Sequence, residues 1–399
     1  MKCKSDKKSF FDLPLIKTRI TSANIKPKEM LFGYFVGPFM AFISNAIFGS
    51  YLNQYFNNVL GMTTYNSVFG LIMPMISVIF VILGNIIIGQ IIERTRTSQG
   101  KSRPYLLLSA PLILIAIVLL FVGPKENSLF QLVWIALAYN FYYAVAYPVF
   151  YTSHSSLVGL STRNSSHRGM LATFSNASGV AAVGIGASIV FPLFQGLLFV
   201  QGENGILDKV ASYNAWRIFI IALCLITVVG IIIEYFFTRE RITEENMKLN
   251  IKEEKIPVLK QLRAVVSSKD WWIVIAFFFL FQLGGLIKNG SMGYYCYAMF
   301  GATTVAEAGT FQSMLGLIGG IPTAAGMILA WPIAAKLGKK NSIVIGFIVA
   351  VLGGLISFID TSSFILVCTG VVLKGIGSIP AMYVSTVLQC LPMVRLWLG

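Results

Sequence analysis

Tyr139, Tyr143, Tyr147 and Tyr151 follow one another at intervals of four in the apolar run "QLVWIALAYNFYYAVAYPVFY", so a helix there carries them on one face. Tyrosine combines a flat apolar ring with a hydroxyl that gives and accepts hydrogen bonds, which suits the C–H faces and hydroxyls of a sugar. The same stripe serves equally as a packing surface, with the outer tyrosines anchored at membrane interfaces. Lys288, in "FQLGGLIKNGSMGYYCY", is the sharpest single residue. A lysine at the bilayer centre costs about 2.5–3.5 kcal/mol on insertion scales, and the apolar runs offer it no acidic partner at mid-depth. It suits an anionic group such as a uronate or a sulfated sugar; alternatively, "KNGSMG" breaks the helix and leaves the ammonium solvated. Lys374, in "VVLKGIGSIP", lines a gate or snorkels to the surface.

Asn45 lies in a row with Gly33, Gly37, Ala41, Gly49 and Asn53, all four apart. The glycines allow close helix packing, whereas an amide at mid-depth wants a partner in the protein or a cavity. Asn85 and Asn140 are cavity candidates by polarity. No phosphate loop, metal cluster or nucleophile–base pair is present, so neither an enzyme nor a cofactor is expected. The five cysteines have no ligand spacing and read as free thiols, and no metal site is expected.

The elements that hold these residues follow from composition. Of 399 residues 56% are hydrophobic and 12% charged, and the mean hydropathy is +0.75, far from the roughly one-quarter charged composition of a soluble domain. Apolar runs of about 20 residues fall at 30–52, 66–92, 105–123, 128–151, 171–198, 217–237, 271–299, 310–335, 342–360 and 364–388. The formal charge of +15 does not mark a nucleic-acid binder: 26 of the 31 Lys and Arg fall on one side of this arrangement. By the positive-inside rule that side, with the N-terminus, is cytoplasmic, and the partner is the lipid bilayer. The basic tail 1–29 precedes a first helix long enough to be retained. Residues 238–270 form a hydrophilic linker after six spans, partly helical through spacings such as Glu244 with Lys248 and Lys252.

The turn "ERTRTSQGKSRPY" crowds Glu93, Arg94, Arg96, Lys101 and Arg103 between two apolar runs. Its cations hold topology, and its arginines can reach the carbonyl ends of neighbouring helices. Arg168, in the next basic loop, reads as a gate residue of the same kind. The turn has an echo in "GMILAWPIAAKLGKKNSIVIGF": each pairs a tight glycine turn (Gly100, Gly338) with basic residues, as expected of two related half-transporters.

At these residues the sequence resembles the glycoside-pentoside-hexuronide:cation symporters, the melibiose-carrier-like branch of the major facilitator superfamily. "ERTRTSQGKSRPYLL" is similar to that family's charged loop, and "YLNQYFNNVLG", "SSLVGLSTRNSSHRGML" and "GIGSIPAMYVST" agree with it. The resemblance implies an all-α, two-bundle membrane transporter that carries a sugar or glycoside with Na+ or H+. The apolar runs give a six-helix bundle at 30–237, the linker, and a second bundle at 271–399 with four helices, where the family has six in each half. The helix-two slots that carry cation-binding carboxylates in the family fall on Val81 and Asn85, the acidic helix-four position near Tyr151 and the basic helix-five position near Asn176. Three readings stand: a sugar carrier, cation-coupled or, since those charges are missing, a uniporter; a carrier of lysolipid-like amphiphiles, which relatives of the family move; and a truncated or frameshifted remnant. The last rests on the count of ten spans and on the ending "QCLPMVRLWLG".

Overall fold

The computed structural model describes residues 16–61, 66–124, 129–202, 207–248, 263, 266, 267, 269–302 and 305–398. Residues 1–15 of the expected tail 1–29, residues 249–262, 264, 265 and 268 of the expected linker 238–270, and the side chains of the ending lie outside them. The elements are helices: α1 (Gly37–Gln54), entered through wider π-turns at Glu29–Val36, α2 (Asn66–Arg94), α3 (Arg103–Phe121), α4 (Leu129–Phe141) and α5 (Tyr147–Leu160). They continue with α6 (Ser165–Ala181), α7 (Phe191–Leu198), α8 (Lys209–Phe237), α9 (Arg241–Lys248), α10 (Lys269–Met299), α11 (Val305–Leu337), α12 (Lys339–Ile359) and α13 (Phe364–Leu398). Among the described residues the only β-type pairings are two isolated bridges. This is the backbone solution that hydrocarbon demands, since a helix satisfies its own N–H and C=O groups. Seven helices among the described residues are long and apolar enough to cross a membrane. Leucines, isoleucines and valines left exposed along α2, α8 and α12 are the side chains such a surface turns to lipid.

The chain folds as two compact units. The first comprises Met1–Ser178 and Leu197–Asn250, and the second Gly179–Gly196 and Ile251–Gly399.

In the first unit glycines set the packing. A Cβ on Gly37 would stand 2.7 Å from the backbone nitrogen of Glu234 and 2.9 Å from the carbonyl of Gly230, and one on Gly230 would meet the Gly37 carbonyl at 2.7 Å. The first helix and α8 therefore touch backbone to backbone, the close approach that small residues permit. Gly49, on the same row, has open space. Gly37→Ala should lower stability by about 1–3 kcal/mol through overpacking, while Gly49→Ala should leave the thermal midpoint unmoved; unfolding of the two purified variants in detergent checks this. In the second unit the same device joins α12 and α13, where Gly346 opposes Gly377 and Gly353 opposes Gly370.

Two helices depart from what the sequence suggests. α5 continues past Tyr151 to Leu160, since Ser153 and Ser156 return their hydroxyls to Val149 and Thr152 carbonyls at 2.7 Å. α10 passes unbroken through "KNGSMG", where the Ser291 hydroxyl folds back on the Ile287 carbonyl at 2.8 Å. The break that would have solvated Lys288 is not formed.

Candidate functional site

The basic turn between α2 and α3 is clamped by one carboxylate. Gly100 has φ +104°, a conformation that side chains rarely adopt, and a Cβ there would run into the Glu240 carboxylate. The turn consequently aims consecutive backbone N–H groups at that acid: Lys101 N lies 2.9 and 3.0 Å from the two Glu240 oxygens and Ser102 N 2.9 Å from Oε2. An anion at the N-terminus of α3 is electrostatically well placed. Thr243 also hydrogen-bonds Glu240, which is fully buried. Gly338, in the echo of the turn, has φ +80°.

Arg103 closes the other side. It is fully buried, donates through Nη2 to the Tyr235 carbonyl at 2.9 Å and through Nη1 to Gln99 Oε1 at 2.7 Å, and lies 4.6 Å over the Tyr235 ring. The Tyr235 carbonyl is at the C-terminal end of α8, where a cation is favoured. Lys101 Nζ pairs with Glu93 at 2.9 Å. Arg96 bonds the Glu93 and Thr95 carbonyls, Arg94 is exposed, and Arg168 donates to the Thr162 carbonyl at 3.1 Å. Around this clamp Arg241 grips fully buried Glu29 with two bonds of 2.9 and 2.7 Å, and Arg239 pairs with Glu244 at 2.8 Å, which raises the guanidinium above its ordinary range. A strap at Ile16–Ser22 completes it: the Ile16 carbonyl accepts from Gln99 at 3.1 Å, and the Thr18 hydroxyl donates to the Thr238 carbonyl at 2.8 Å.

The tyrosines are placed by a change of helical pitch. α4 and α5 are joined through a wide π-turn, Tyr142–Ala146, a feature frequent at functional sites. It divides the expected stripe into two pairs, Tyr139 tilted on Tyr143 at 4.4 Å and Tyr147 stacked on Tyr151 at 5.9 Å, while Tyr142 bridges them at 4.9 Å from Tyr143 and 6.0 Å from Tyr147. Tyr143 and Tyr147 are half-buried and Tyr151 is exposed. In the same unit two amide oxygens, Asn45 Oδ1 and Asn140 Oδ1, are buried without a hydrogen-bond partner. The Asn140 amide nitrogen donates to the Ala136 carbonyl at 2.8 Å. Each oxygen is a buried acceptor, a group that normally finds a donor.

The helix-two slots behave otherwise. Asn85 spends its amide on the Val81 carbonyl of its own helix at 2.8 Å, and Val81 has nothing to offer a cation. Asn176 is half-buried on α6. In the second unit Lys288 is half-buried on α10, and Lys374 is exposed on α13. The groove lined by Val349, Leu352, Leu355, Ile356, Ile359 and Leu373 is apolar throughout and offers nothing to a hydroxyl. Cys224, Cys296 and Cys368 are free thiols, and among the described residues no three His, Cys, Asp or Glu side chains come together as metal ligands would.

Sequence reasoning missed the acids that organise this end of the first unit, Glu29, Glu234 and Glu240, together with His154, Arg241 and Tyr235. A signal was available for Glu234: it falls inside the apolar run 217–237, where an ionisable residue marks a site to be accounted for.

Residues 33–389 match the family described as MFS/sugar transport protein. The chain belongs to this family. It is a multi-pass membrane protein, and the reading taken from "ERTRTSQGKSRPYLL" holds at the family level. It is 26% identical over 344 residues to the isoprimeverose transporter of Lactiplantibacillus pentosus, covering 84% of this chain and 64% of that protein. It is 23% identical over 283 residues to the raffinose carrier protein of Pediococcus pentosaceus (68% and 40%), and 24% over 267 residues to the lactose permease of Lactobacillus helveticus (64% and 38%). The aligned part thus spans 38–64% of the length of these relatives.

Proposed function

We propose that the chain is a secondary carrier that moves a sugar or glycoside across the cytoplasmic membrane by alternating access, coupled to Na+ or H+. The observation that carries this reading is the family match over 33–389. Relatives that bear the names of isoprimeverose, raffinose and lactose carriers support the substrate class. The chemistry of the first unit supports it too, because the unpartnered Asn45 and Asn140 oxygens and the tyrosine pairs are what a hydroxyl-bearing ring would satisfy. In this reading Asn45, Asn140, Tyr143, Tyr147, Asn176 and Lys288 meet the substrate, and Lys288 takes its anionic group if it has one. The gate residues Glu93, Arg94, Arg96, Lys101, Arg103 and Arg168 sit on the cytoplasmic side with the N-terminus, an orientation supported by the 26 of 31 basic residues on that side. The chain acts as a carrier and not as an enzyme.

The test is uptake of a radiolabelled panel of neutral glycosides, acidic glycosides and a lysolipid into cells that express the chain, with membrane levels matched. Glycoside uptake is expected. Tyr147→Leu should reduce it by about tenfold or more, because an aromatic face and its hydrogen bond are removed together. Uptake of the lysolipid alone would overturn the sugar reading.

A further inference from the structure

One buried ionisable cluster has no part in the clamp or in the tyrosine site. Glu234, fully buried near the end of α8, has Oε1 2.7 Å from His154 Nδ1 of α5, and His154 Nε2 lies 2.6 Å from Ser175 Oγ of α6. Three helices meet in one line of hydrogen bonds. The second carboxylate oxygen, Glu234 Oε2, is buried and has no partner. Aromatic walls enclose the imidazole, Phe42 at 5.3 Å edge-on and Phe150 at 5.9 Å stacked, and the Gly37–Gly230 contact seals the backbone behind Glu234.

The charges facing Glu234 are accounted for on each side. From the first helix come Glu29, neutralised by the Arg241 pair, and Tyr34, whose hydroxyl is bonded to Ser161. Tyr235, the residue after Glu234, occupies Arg103, which is committed to Gln99 and to the backbone and ring of that tyrosine. Among the described residues His154 is the group that hydrogen-bonds the Glu234 side chain. With a neutral imidazole the pair carries a net charge of minus one inside a dry wall, and with one added proton it is neutral. An unbalanced buried charge is the costlier of the two states.

We propose that the His154–Glu234 pair is a proton-binding site that couples this carrier to H+, in place of the helix-two carboxylates that Val81 and Asn85 lack. This rests on the carrier reading above. The step is a simple association: a proton from water adds to the unpartnered carboxylate oxygen of Glu234, beside His154, and is returned to water on the other side. A hard metal cation is a poor fit because it needs a shell of several oxygens, whereas the exposed chemistry here is one carboxylate oxygen beside an imidazole.

The experiment has two arms on the full chain. Infrared difference spectra of the purified protein between about pH 5 and 8, the range in which histidine systems titrate, should show a protonated-carboxyl band that is lost in Glu234→Gln and shifted in His154→Gln. In proteoliposomes, sugar moving down its own gradient should alkalinise the side it leaves in wild type, with the proton-to-sugar ratio falling to zero in Glu234→Gln. A carboxyl band indifferent to both substitutions overturns the proposal, and so does proton movement that survives Glu234→Gln. If wild type moves no sugar at all, the carrier reading fails, and the infrared arm still decides on the proton site.

Discussion

Glu240→Ala should destabilise the first unit by about 3–5 kcal/mol, the usual result of removing one partner from a buried charged network. The reason is local. The carboxylate takes the Lys101 and Ser102 N–H groups and the Thr243 hydroxyl, all at a site without access to water. A Cβ on Gly100 would run into this carboxylate, so the turn is shaped to its outline. Glu240→Gln keeps one oxygen acceptor and should cost less. The contrast is Glu245→Ala, whose pair with Arg163 is more than half exposed on both sides and should cost under about 1 kcal/mol. Thermal unfolding followed by the reaction of buried thiols, Cys224 of α8 among them, ranks the three. If Glu240→Ala unfolds with wild type, the clamp does not hold this end of the protein together.

Lys288→Ala should abolish the uptake of acidic glycosides, by about 100-fold or more, while the protein reaches the membrane at the wild-type level or above. A charged hydrogen bond between the ammonium and an acidic substrate is worth roughly 3 kcal/mol or more, which is about that factor. Removing the same lysine relieves an insertion cost of about 2.5–3.5 kcal/mol, so lower uptake combined with undiminished protein is the signature of a binding residue. Lys288→Arg, which keeps the charge, should retain part of the activity, and neutral glycosides should lose less than acidic ones. Parallel uptake measurements with membrane levels from quantitative blotting decide the matter. Wild-type uptake of acidic glycosides by Lys288→Ala would reduce the lysine to a solvated charge.

Much of the fold was legible because hydrocarbon imposes it. Apolar runs of spanning length mark helices whatever their side chains do in detail, and Gly100 and Gly338 betrayed positive-φ turns through their setting between a helix end and a basic cluster. The reach of Arg103 for a helix-end carbonyl followed from the same physics. What composition does not carry is pairing across the chain. Glu240 lies 139 positions from Lys101 and Glu234 lies 80 from His154, and nothing in the local run around any of them names the partner. His154 looked like part of a loop because the polar stretch after Tyr151 ends the apolar run, yet its serines satisfy themselves on the helix and its histidine turns inward. The tyrosine spacing was visible, but the π-turn that splits it was not, since pitch is set by packing and not by the interval of four.

The central claim is that this chain itself moves a sugar. Counterflow measures that without reference to any ion: the purified 399-residue protein is placed in liposomes loaded with unlabelled glycoside, diluted into trace radiolabelled glycoside, and the transient accumulation of label inside is followed. A carrier gives a rise and decay of internal label that is absent from empty liposomes and diminished by Tyr147→Leu. Folded, correctly inserted protein that gives the same trace as empty liposomes for every glycoside tried would contradict the claim.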